Sequence, residues 1–181
     1  MQPPVCGGRR GPVAVSAVPG AGTVVQTSTC ERGVMTGGGD PGAAASRARE
    51  MTEFFRRLVP GQLGCVFDHA AADLVVGHLD VTETLIAGTG YLFAPAVVAL
   101  ADTCAAVGCG ANLSEGETFT TIELKSNFLA SAKAGDRVEC RCTPAHLGRQ
   151  TQVWDAVVTN ASTGRTMALF RCTQMVLTTR R

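Results

Sequence analysis

The side chain with the clearest chemical potential in this sequence is Asp102, within the segment GTGYLFAPAVVALADTCAAVG at residues 88–108. From Ala94 to Val107 the other residues are apolar or small, which predicts that the segment is buried. An ionised carboxylate taken out of water costs several kcal/mol unless it is paired or hydrogen-bonded. Asp102 must therefore be either compensated by its neighbours or used in a reaction.

Histidine and cysteine are the other residue types that could do chemistry here. His69, His78 and His146 share neither a helical face nor a ligand spacing, so no metal site is predicted. The eight cysteines form no CxxC pair, and most occupy places typical of a small buried hydrophobic residue. We interpret them as reduced thiols of a cytoplasmic protein. The cysteines are Cys6, Cys30, Cys65, Cys104, Cys109, Cys140, Cys142 and Cys172.

Composition limits the classes of partner. A chain of 181 residues with 45% hydrophobic residues has room for one domain with a real core and a tail. A formal net charge of +1 argues against a nucleic-acid surface or a polybasic membrane arm. Because the sequence contains no run of eighteen or more apolar residues, no membrane-spanning helix is predicted. Neither nucleic acid nor a membrane is expected as a partner.

Residues 1–50 are predicted to be a disordered or non-native tail, followed by a domain over residues 51–181. The tail is rich in Gly and Pro and has no aromatic residue, so it cannot bury enough surface to fold alone. A secretory signal is the alternative, but GPVAVSAVPGAG is too short and too broken for an apolar core. The stretch MTEFFRRLVPGQLG from Met51 is typical of the start of a domain.

The residues around Asp102 predict one long buried helix. Pro95 suits a first helical turn, and residues 96–107 are good or tolerable helix formers. Gly108 and Gly110 are expected to end the helix. Because the helix is apolar on nearly every side, we expect it to lie at the centre of the domain.

Strands are predicted on both sides of this helix. The spacing in MTEFFRRLV predicts a short amphipathic helix, and CVFDHAAADLVVGHLDVT predicts two strands. Period-two alternation then predicts four more strands, in TFTTIELKSNFLA, DRVECRCTPAHL, TQVWDAVVTN and RTMALFRCTQMVL. Their short links favour sequential antiparallel pairing. The predicted fold is α+β, a curved antiparallel sheet wrapped around one long buried helix.

This order of elements and three motifs resemble the hotdog-fold acyl-CoA thioesterases of the phenylacetate-degradation (4-hydroxybenzoyl-CoA thioesterase-like) type. The motifs are YLFAPAVVALADTCA, FTTIELKSNFL and GRQTQVWDA. In that family the helix signature runs His-Gly-Gly or His-Ala-Gly, then a few small or aliphatic residues, then Leu-Ala-Asp. Here Phe93, Ala94 and Pro95 stand at the triplet, and residues 100–102 match Leu-Ala-Asp. The resemblance covers roughly residues 51–177 and implies a hotdog fold.

The resemblance also implies a reaction, the hydrolysis of an acyl-CoA thioester with Asp102 as general base or nucleophile. Coenzyme A would be part of the substrate, so no separate cofactor is implied. The N–H of Ala94, at the positive end of the helix, would donate to the oxyanion. Because Ala94 lies about two turns from Asp102 in the same helix, the resemblance implies a homodimer, or a dimer of dimers, in which Asp102 faces the partner's helix start.

Several positions depart from the family pattern or could contact the substrate. Phe93 replaces the His that usually orients the substrate and becomes an apolar substrate contact, while Pro95 has no N–H and Ala87 replaces a frequent Asn. Thr121 could line the site and hold the attacking water, or be an ordinary strand residue. Arg149 could bind a coenzyme A phosphate, or be a solvated turn residue.

Two other functions stay open at this point. One is a non-catalytic acyl-CoA or acyl-ligand binding protein, because the usual His-Gly-Gly is Phe-Ala-Pro here. The other is an acyl-carrier-protein-linked dehydratase, which would ordinarily need a histidine near the helix signature. Asp102 could also be a satisfied buried carboxylate, and Trp154 could simply be core. Phe93, Phe128 and Trp154 would suit either an aromatic or an aliphatic acyl group.

Overall fold

The computed structural model describes residues 41–178, in which a six-stranded sheet encloses one long helix. The helices are α1 (Pro41–Phe55), α2 (Val59–Gln62) and α3 (Ala94–Ala111), with a single 3₁₀ turn at Glu83–Leu85 before α3. The strands are β1 (Val66–Ala70), β2 (Val75–Asp80), β3 (Glu117–Phe128), β4 (Arg137–Leu147), β5 (Thr151–Asn160) and β6 (Arg165–Thr178). The strand order is β1-β2-β4-β5-β6-β3, and every neighbouring pair is antiparallel. The predicted fold class is confirmed.

Helix α3 lies at the centre of the hydrophobic core. It contacts all six strands, and Leu100, Ala101 and Cys104 have no exposed surface. Within residues 41–178 it is the one helix long and apolar enough to cross a membrane by length and composition. The inner face of the sheet packs against this apolar surface, so the helix lies at the centre of the domain, as its composition predicts.

Helix α3 was predicted to end at Gly108 and Gly110, but it continues to Ala111. Gly108 lies inside the helix, at a position where a Cβ would stand 2.5 Å from Cη2 of the buried Trp154 ring. The helix ends at Asn112, whose side-chain amide donates to the carbonyl oxygen of Gly108 at 2.9 Å. Gly108 therefore makes room for an indole ring and does not stop the helix.

The two glycines predict opposite effects of the same substitution. Gly108→Ala pushes a methyl group into a rigid, buried ring, and overpacking of this kind costs about 1–3 kcal/mol of the free energy of unfolding. Gly110→Ala is the matched control, because its Cβ would meet only Phe119 Cε1, at 3.8 Å. Without a clash, Gly110→Ala should stabilise the helix by up to about 1 kcal/mol. Urea unfolding measures both, and equal effects would contradict the packing at Gly108.

The strand pairing differs from the sequential pairing that was predicted. Strands β4, β5 and β6 do pair in order, but β3 pairs with β6, and β4 pairs with β2. Residues 129–136 cross from β3, at one edge of the sheet, past β6 and β5 to β4 in its interior, and at about 3.3 Å per residue they can span about 26 Å. Leu92 N–H donates to Ala132 O at 2.9 Å and Val81 N–H to Asp136 O at 2.8 Å along this crossing. Among residues 41–178, one side of β3 is therefore left without a partner strand.

The domain begins earlier than residue 51. Helix α1 starts at Pro41, ten residues before the predicted boundary, and Ala48 is 1% exposed. The hydroxyl of Thr52 accepts a hydrogen bond from Phe67 N–H on β1 at 3.0 Å, which docks α1 on the sheet. The composition of residues 41–50 did not predict this part of the helix, because its buried side chains are alanines and none is aromatic. The remainder of the predicted tail, residues 1–40, lies outside the described residues.

The cysteines of residues 41–178 are free, buried thiols. Burial raises the pKa of Cys65 to about 12 and that of Cys109 to about 11, so both thiols are protonated at neutral pH. The interpretation as small hydrophobic residues is confirmed for six of the eight. These six are Cys65, Cys104, Cys109, Cys140, Cys142 and Cys172. Cys6 and Cys30 lie outside the described residues.

Candidate active site

The Asp102 side chain is half-buried in the middle of α3 and takes part in a polar row that extends to β6. The Thr121 hydroxyl, on β3, lies 3.2 Å from Asp102 Oδ1 and 3.1 Å from Gln174 Oε1. Thr121 and Gln174 stand directly opposite each other in the register of β3 and β6, and Gln174 has no exposed surface. The three side chains form a continuous hydrogen-bonding path from the carboxylate into the core.

The electrostatic setting raises the pKa of the Asp102 carboxyl above its ordinary value. Burial is the larger cause, and the hydrogen bond from Thr121 acts in the opposite direction. Within residues 41–178, no lysine, arginine or histidine lies within salt-bridge distance of this carboxylate. A carboxylate without a cation, held by one hydroxyl, keeps more basicity than an ordinary surface aspartate, which suits a proton acceptor.

The other candidate residues do not reach Asp102 within one chain. Ala94 is the first residue of α3, eight residues before Asp102, or about 12 Å along the helix axis. Its N–H has no hydrogen-bond acceptor among residues 41–178, whereas the next amide, that of Ala96, donates to Phe93 O at 2.9 Å. Phe93 is 49% exposed at the helix start, and Arg149 is exposed in the turn between β4 and β5. A single chain brings together only Asp102 and Thr121 of the predicted set.

Sequence reasoning missed Gln174. In MALFRCTQMVL the residues that point inward are Ala168, Phe170 and Cys172, and Gln174 takes the next inward place. A polar residue in the buried phase of an alternating strand is the signal that could have identified it.

A cavity of about 470 Å³ opens between α1 and the second half of α3. Ala106, on its wall, follows Asp102 by one helical turn, and Phe119 precedes Thr121 by two residues on the same strand face. The cavity thus begins about one helical turn beyond the carboxylate, and Asp102 and Thr121 are not among its lining residues. Its lining is mainly apolar and includes Met51, Phe54, Phe55, Ala106, Val107 and Phe119.

Residues 41–178 contain no group of three or more His, Cys, Asp or Glu side chains arranged to hold a metal ion. His78 Nδ1 lies 2.6 Å from Asp68 Oδ2, on strands β1 and β2. This pair is at the far edge of the sheet from β3, so it takes no part in the site around Asp102.

Comparison with known proteins gives consistent matches to thioesterases. The family model described as the thioesterase superfamily matches residues 89–171, which include α3, β3, β4, β5 and the first half of β6. The 1,4-dihydroxy-2-naphthoyl-CoA hydrolase of Listeria monocytogenes is 34% identical over 98 residues, 54% of this chain and 78% of that protein. The proofreading thioesterase EntH of Klebsiella pneumoniae is 30% identical over 96 residues, 53% and 69% of the two chains. The crystal structure of a Haemophilus influenzae thioesterase superposes with a TM-score of 0.67 at 24% identity, covering 72% of this chain and 90% of the other.

Proposed function

This chain belongs to the thioesterase superfamily and is a hydrolase of thioester bonds, and from that premise we propose that it hydrolyses an acyl-CoA thioester to a free acid and coenzyme A. The observation that carries the proposal is the half-buried Asp102 carboxylate, bonded to the Thr121 hydroxyl beside an apolar cavity. The Listeria relative is named for an acyl-CoA substrate, which supports the same leaving group here. Coenzyme A arrives with the substrate, so the reaction needs no separate cofactor.

Asp102 acts as general base or as nucleophile. As a base it takes a proton from a water whose oxygen bonds to the thioester carbonyl carbon. The C–S bond then breaks, and the proton passes to the departing coenzyme A thiolate. As a nucleophile, the carboxylate itself bonds to that carbon while the C–S bond breaks and coenzyme A leaves as a thiolate. Water then hydrolyses the resulting anhydride, which releases the acid, regenerates the carboxylate and supplies a proton to the thiolate. In either route Thr121 is close enough to hold the water, since its hydroxyl lies 3.2 Å from the carboxylate.

A second copy of the chain is needed to complete this site. Strand β3 is twelve residues long and has one unpaired side, which is a template for pairing with another chain. Leu124 and Phe128 stand opposite the buried Cys172 and Ala168, so they face inward, yet they are 43% and 48% exposed. Inward-facing apolar side chains left exposed at an unpaired edge favour a homodimer formed through β3.

Antiparallel pairing of two β3 strands brings the helix start of one chain to Asp102 of the other. The Phe128 end of β3 leads into the crossing segment, where Ala132 O accepts from Leu92 N–H just before α3. A two-fold axis through the middle of β3 sets the second half of the partner strand, which ends at the partner's Phe128, against the first half, which contains Thr121. The unused N–H of the partner's Ala94 then becomes the donor to the developing oxyanion.

The acyl group of the substrate is apolar and occupies the cavity between α1 and α3. Ala106 and Gly110 follow Asp102 at four-residue intervals, and their small size leaves that space open. Phe93 of the partner adds an apolar contact at the helix start, and Arg149, in its exposed turn, is the proposed contact for a coenzyme A phosphate.

The proposal is tested with a panel of acyl-CoA thioesters and a reagent that reports free thiol. We expect thiol release from the panel, and higher kcat/KM for large apolar acyl groups than for the acetyl group, since burial of apolar surface adds binding energy. Tight binding of acyl-CoA without thiol release would instead favour the non-catalytic binding protein.

Filling the cavity at Ala106 should change the choice of acyl group. Ala106→Leu adds three carbons to the wall one turn from Asp102, so large acyl groups should lose about 10–200-fold in kcat/KM. Acetyl-CoA is the internal control, because its two carbons need none of the filled space. A uniform loss across the panel would contradict the assignment of this cavity to the acyl group.

A further inference from the structure

We propose that Gln174 is a positioning residue, which sets the direction of the Thr121 hydroxyl and thereby the basicity of the Asp102 carboxylate. The proposal rests on the proposed function for its catalytic meaning. It concerns the one hydroxyl hydrogen of Thr121 and its two acceptors, Gln174 and Asp102, and its effect on the pKa of Asp102 can be measured without turnover.

The geometry holds Gln174 in a fixed place. The residue is fully buried on β6, between Thr121 on β3 and Gln152 on β5, and both are its direct partners in the strand register. Its Oε1 lies 3.1 Å from the Thr121 hydroxyl, and its Nε2 lies 3.5 Å from Cys172 Sγ. A buried amide must keep its hydrogen-bond partners, so the oxygen stays directed at the hydroxyl.

The proton count makes Gln174 and Asp102 competitors. A threonine hydroxyl has one hydrogen to donate, and it faces two acceptors, Gln174 Oε1 and Asp102 Oδ1. When the hydrogen points to Gln174, the Thr121 oxygen is free to accept a hydrogen bond from a protonated Asp102. When it points to an ionised Asp102, the buried Gln174 oxygen loses its donor. Gln174 therefore favours the state in which Asp102 has taken up a proton, as a base does during the reaction.

Among the described residues, no charged side chain is a cause of the shift in the pKa of Asp102. The Asp102 charge contributes to raising the pKa of the thiols of Cys142 on β4 and Cys172 on β6, whereas the pKa of Asp102 itself responds to burial and to the Thr121 hydrogen bond. Burial raises the pKa of both thiols, that of Cys172 to about 12, so they stay neutral. Glu123 on β3 acts on Cys172 but is not among the causes of the Asp102 shift. The Thr121 hydroxyl is the described group that hydrogen-bonds the carboxylate directly.

The test is a titration of Asp102 in the full-length chain, followed by NMR of carboxyl carbons in protein labelled at aspartate, with Asp102→Asn to assign the signal. In Gln174→Met the Thr121 hydroxyl has only Asp102 to donate to, and a hydrogen bond to the ionised form lowers a carboxyl pKa. We expect the midpoint to fall by about 0.5–1 pH unit, the worth of one hydrogen bond. The acidic limb of the kcat profile should shift with it, while KM stays unchanged.

Gln152→Met is the matched control. Gln152 is 3% exposed, stands opposite Gln174, and accepts its hydrogen bond from Trp154 Nε1, so it has the same burial and no bond to Thr121. It should leave the Asp102 midpoint in place. In a Thr121→Val background, Gln174→Met should likewise have no effect, because no hydroxyl remains to be turned.

Three results would overturn the inference: a Gln174→Met midpoint equal to or above the parent's, an equal shift in Gln152→Met, or a shift that persists with Thr121→Val. If Gln174→Met does not fold, Gln174→Leu removes the same amide with a different shape and makes the same test. Absence of thioesterase activity in the parent chain would count against the proposed function alone, since the NMR titration does not depend on turnover.

Discussion

Asp102→Asn is expected to lower kcat for acyl-CoA hydrolysis by about 10²–10⁴-fold, the usual contribution of a positioned proton acceptor. The amide has nearly the same shape and can still accept the Thr121 hydrogen bond, but it can neither take a proton nor bond to the thioester carbon. Substrate affinity should change little, because the cavity walls are untouched. The loss should therefore appear in kcat and not in KM.

The same substitution should not destabilise the chain at neutral pH. Because burial raises the pKa of Asp102, the folded state binds this proton more tightly than the unfolded state does. The carboxylate thus contributes stability that falls as pH rises from the ordinary aspartate value through the raised value, and it opposes folding above that range. Asn removes this dependence, so the free energy of unfolding of Asp102→Asn relative to the parent should rise between pH 4 and pH 8. Thiol release that survives in a folded Asp102→Asn would place the reaction at another site.

Phe128→Asp is expected to dissociate the proposed dimer and to abolish most of the activity together with it. The side chain faces inward at the unpaired edge of β3 and is 48% exposed, so in the dimer an aspartate there would be a buried charge without a partner. Separated chains lose the amide of the partner's Ala94, and removal of one oxyanion donor costs about 10²–10³-fold in kcat. Sedimentation velocity gives the oligomeric state, and the thiol assay gives the activity.

Leu58→Asp is the matched control for this loss. Leu58 is 46% exposed between α1 and α2, away from β3, so the same kind of charge is added outside the proposed interface. This variant should keep the mass and the activity of the parent. A monomeric Phe128→Asp with parental activity would show that one chain suffices, and a dimeric one would place the interface elsewhere.

Much of the fold could be predicted because the relevant patterns are local. The alternation of Val138, Cys140 and Cys142 with charged neighbours defines β4, and the apolar run that starts near Pro95 defines α3. Each pattern depends only on which side of its own element is covered. The resemblance named Asp102 as the catalytic carboxylate and Thr121 as a residue that could line the same site, and the Thr121 hydroxyl lies 3.2 Å from Asp102 Oδ1.

The structure alone decided what depends on contacts between distant parts of the chain. Gly108 was predicted to end the helix because glycine is common at helix ends. Its actual reason, the Trp154 ring across the core, is 46 residues later in the sequence and so is not visible in the local pattern. Strand β3 pairs with β6 and not with β4. The segment at residues 129–136 leads away from β3 and is hydrogen-bonded to Leu92, just before α3. Gln174 became part of the site only when that pairing set it opposite Thr121.

By itself, then, the sequence determined which elements form and which of their faces are buried, since both follow from the periodicity of apolar residues over a few turns or strand residues. Only the tertiary structure decided which strands lie at the edges of the described sheet and which buried amide contacts the Thr121 hydroxyl. Those outcomes depend on packing between residues that no local pattern connects, because the free energy of a contact is set by both partners at once.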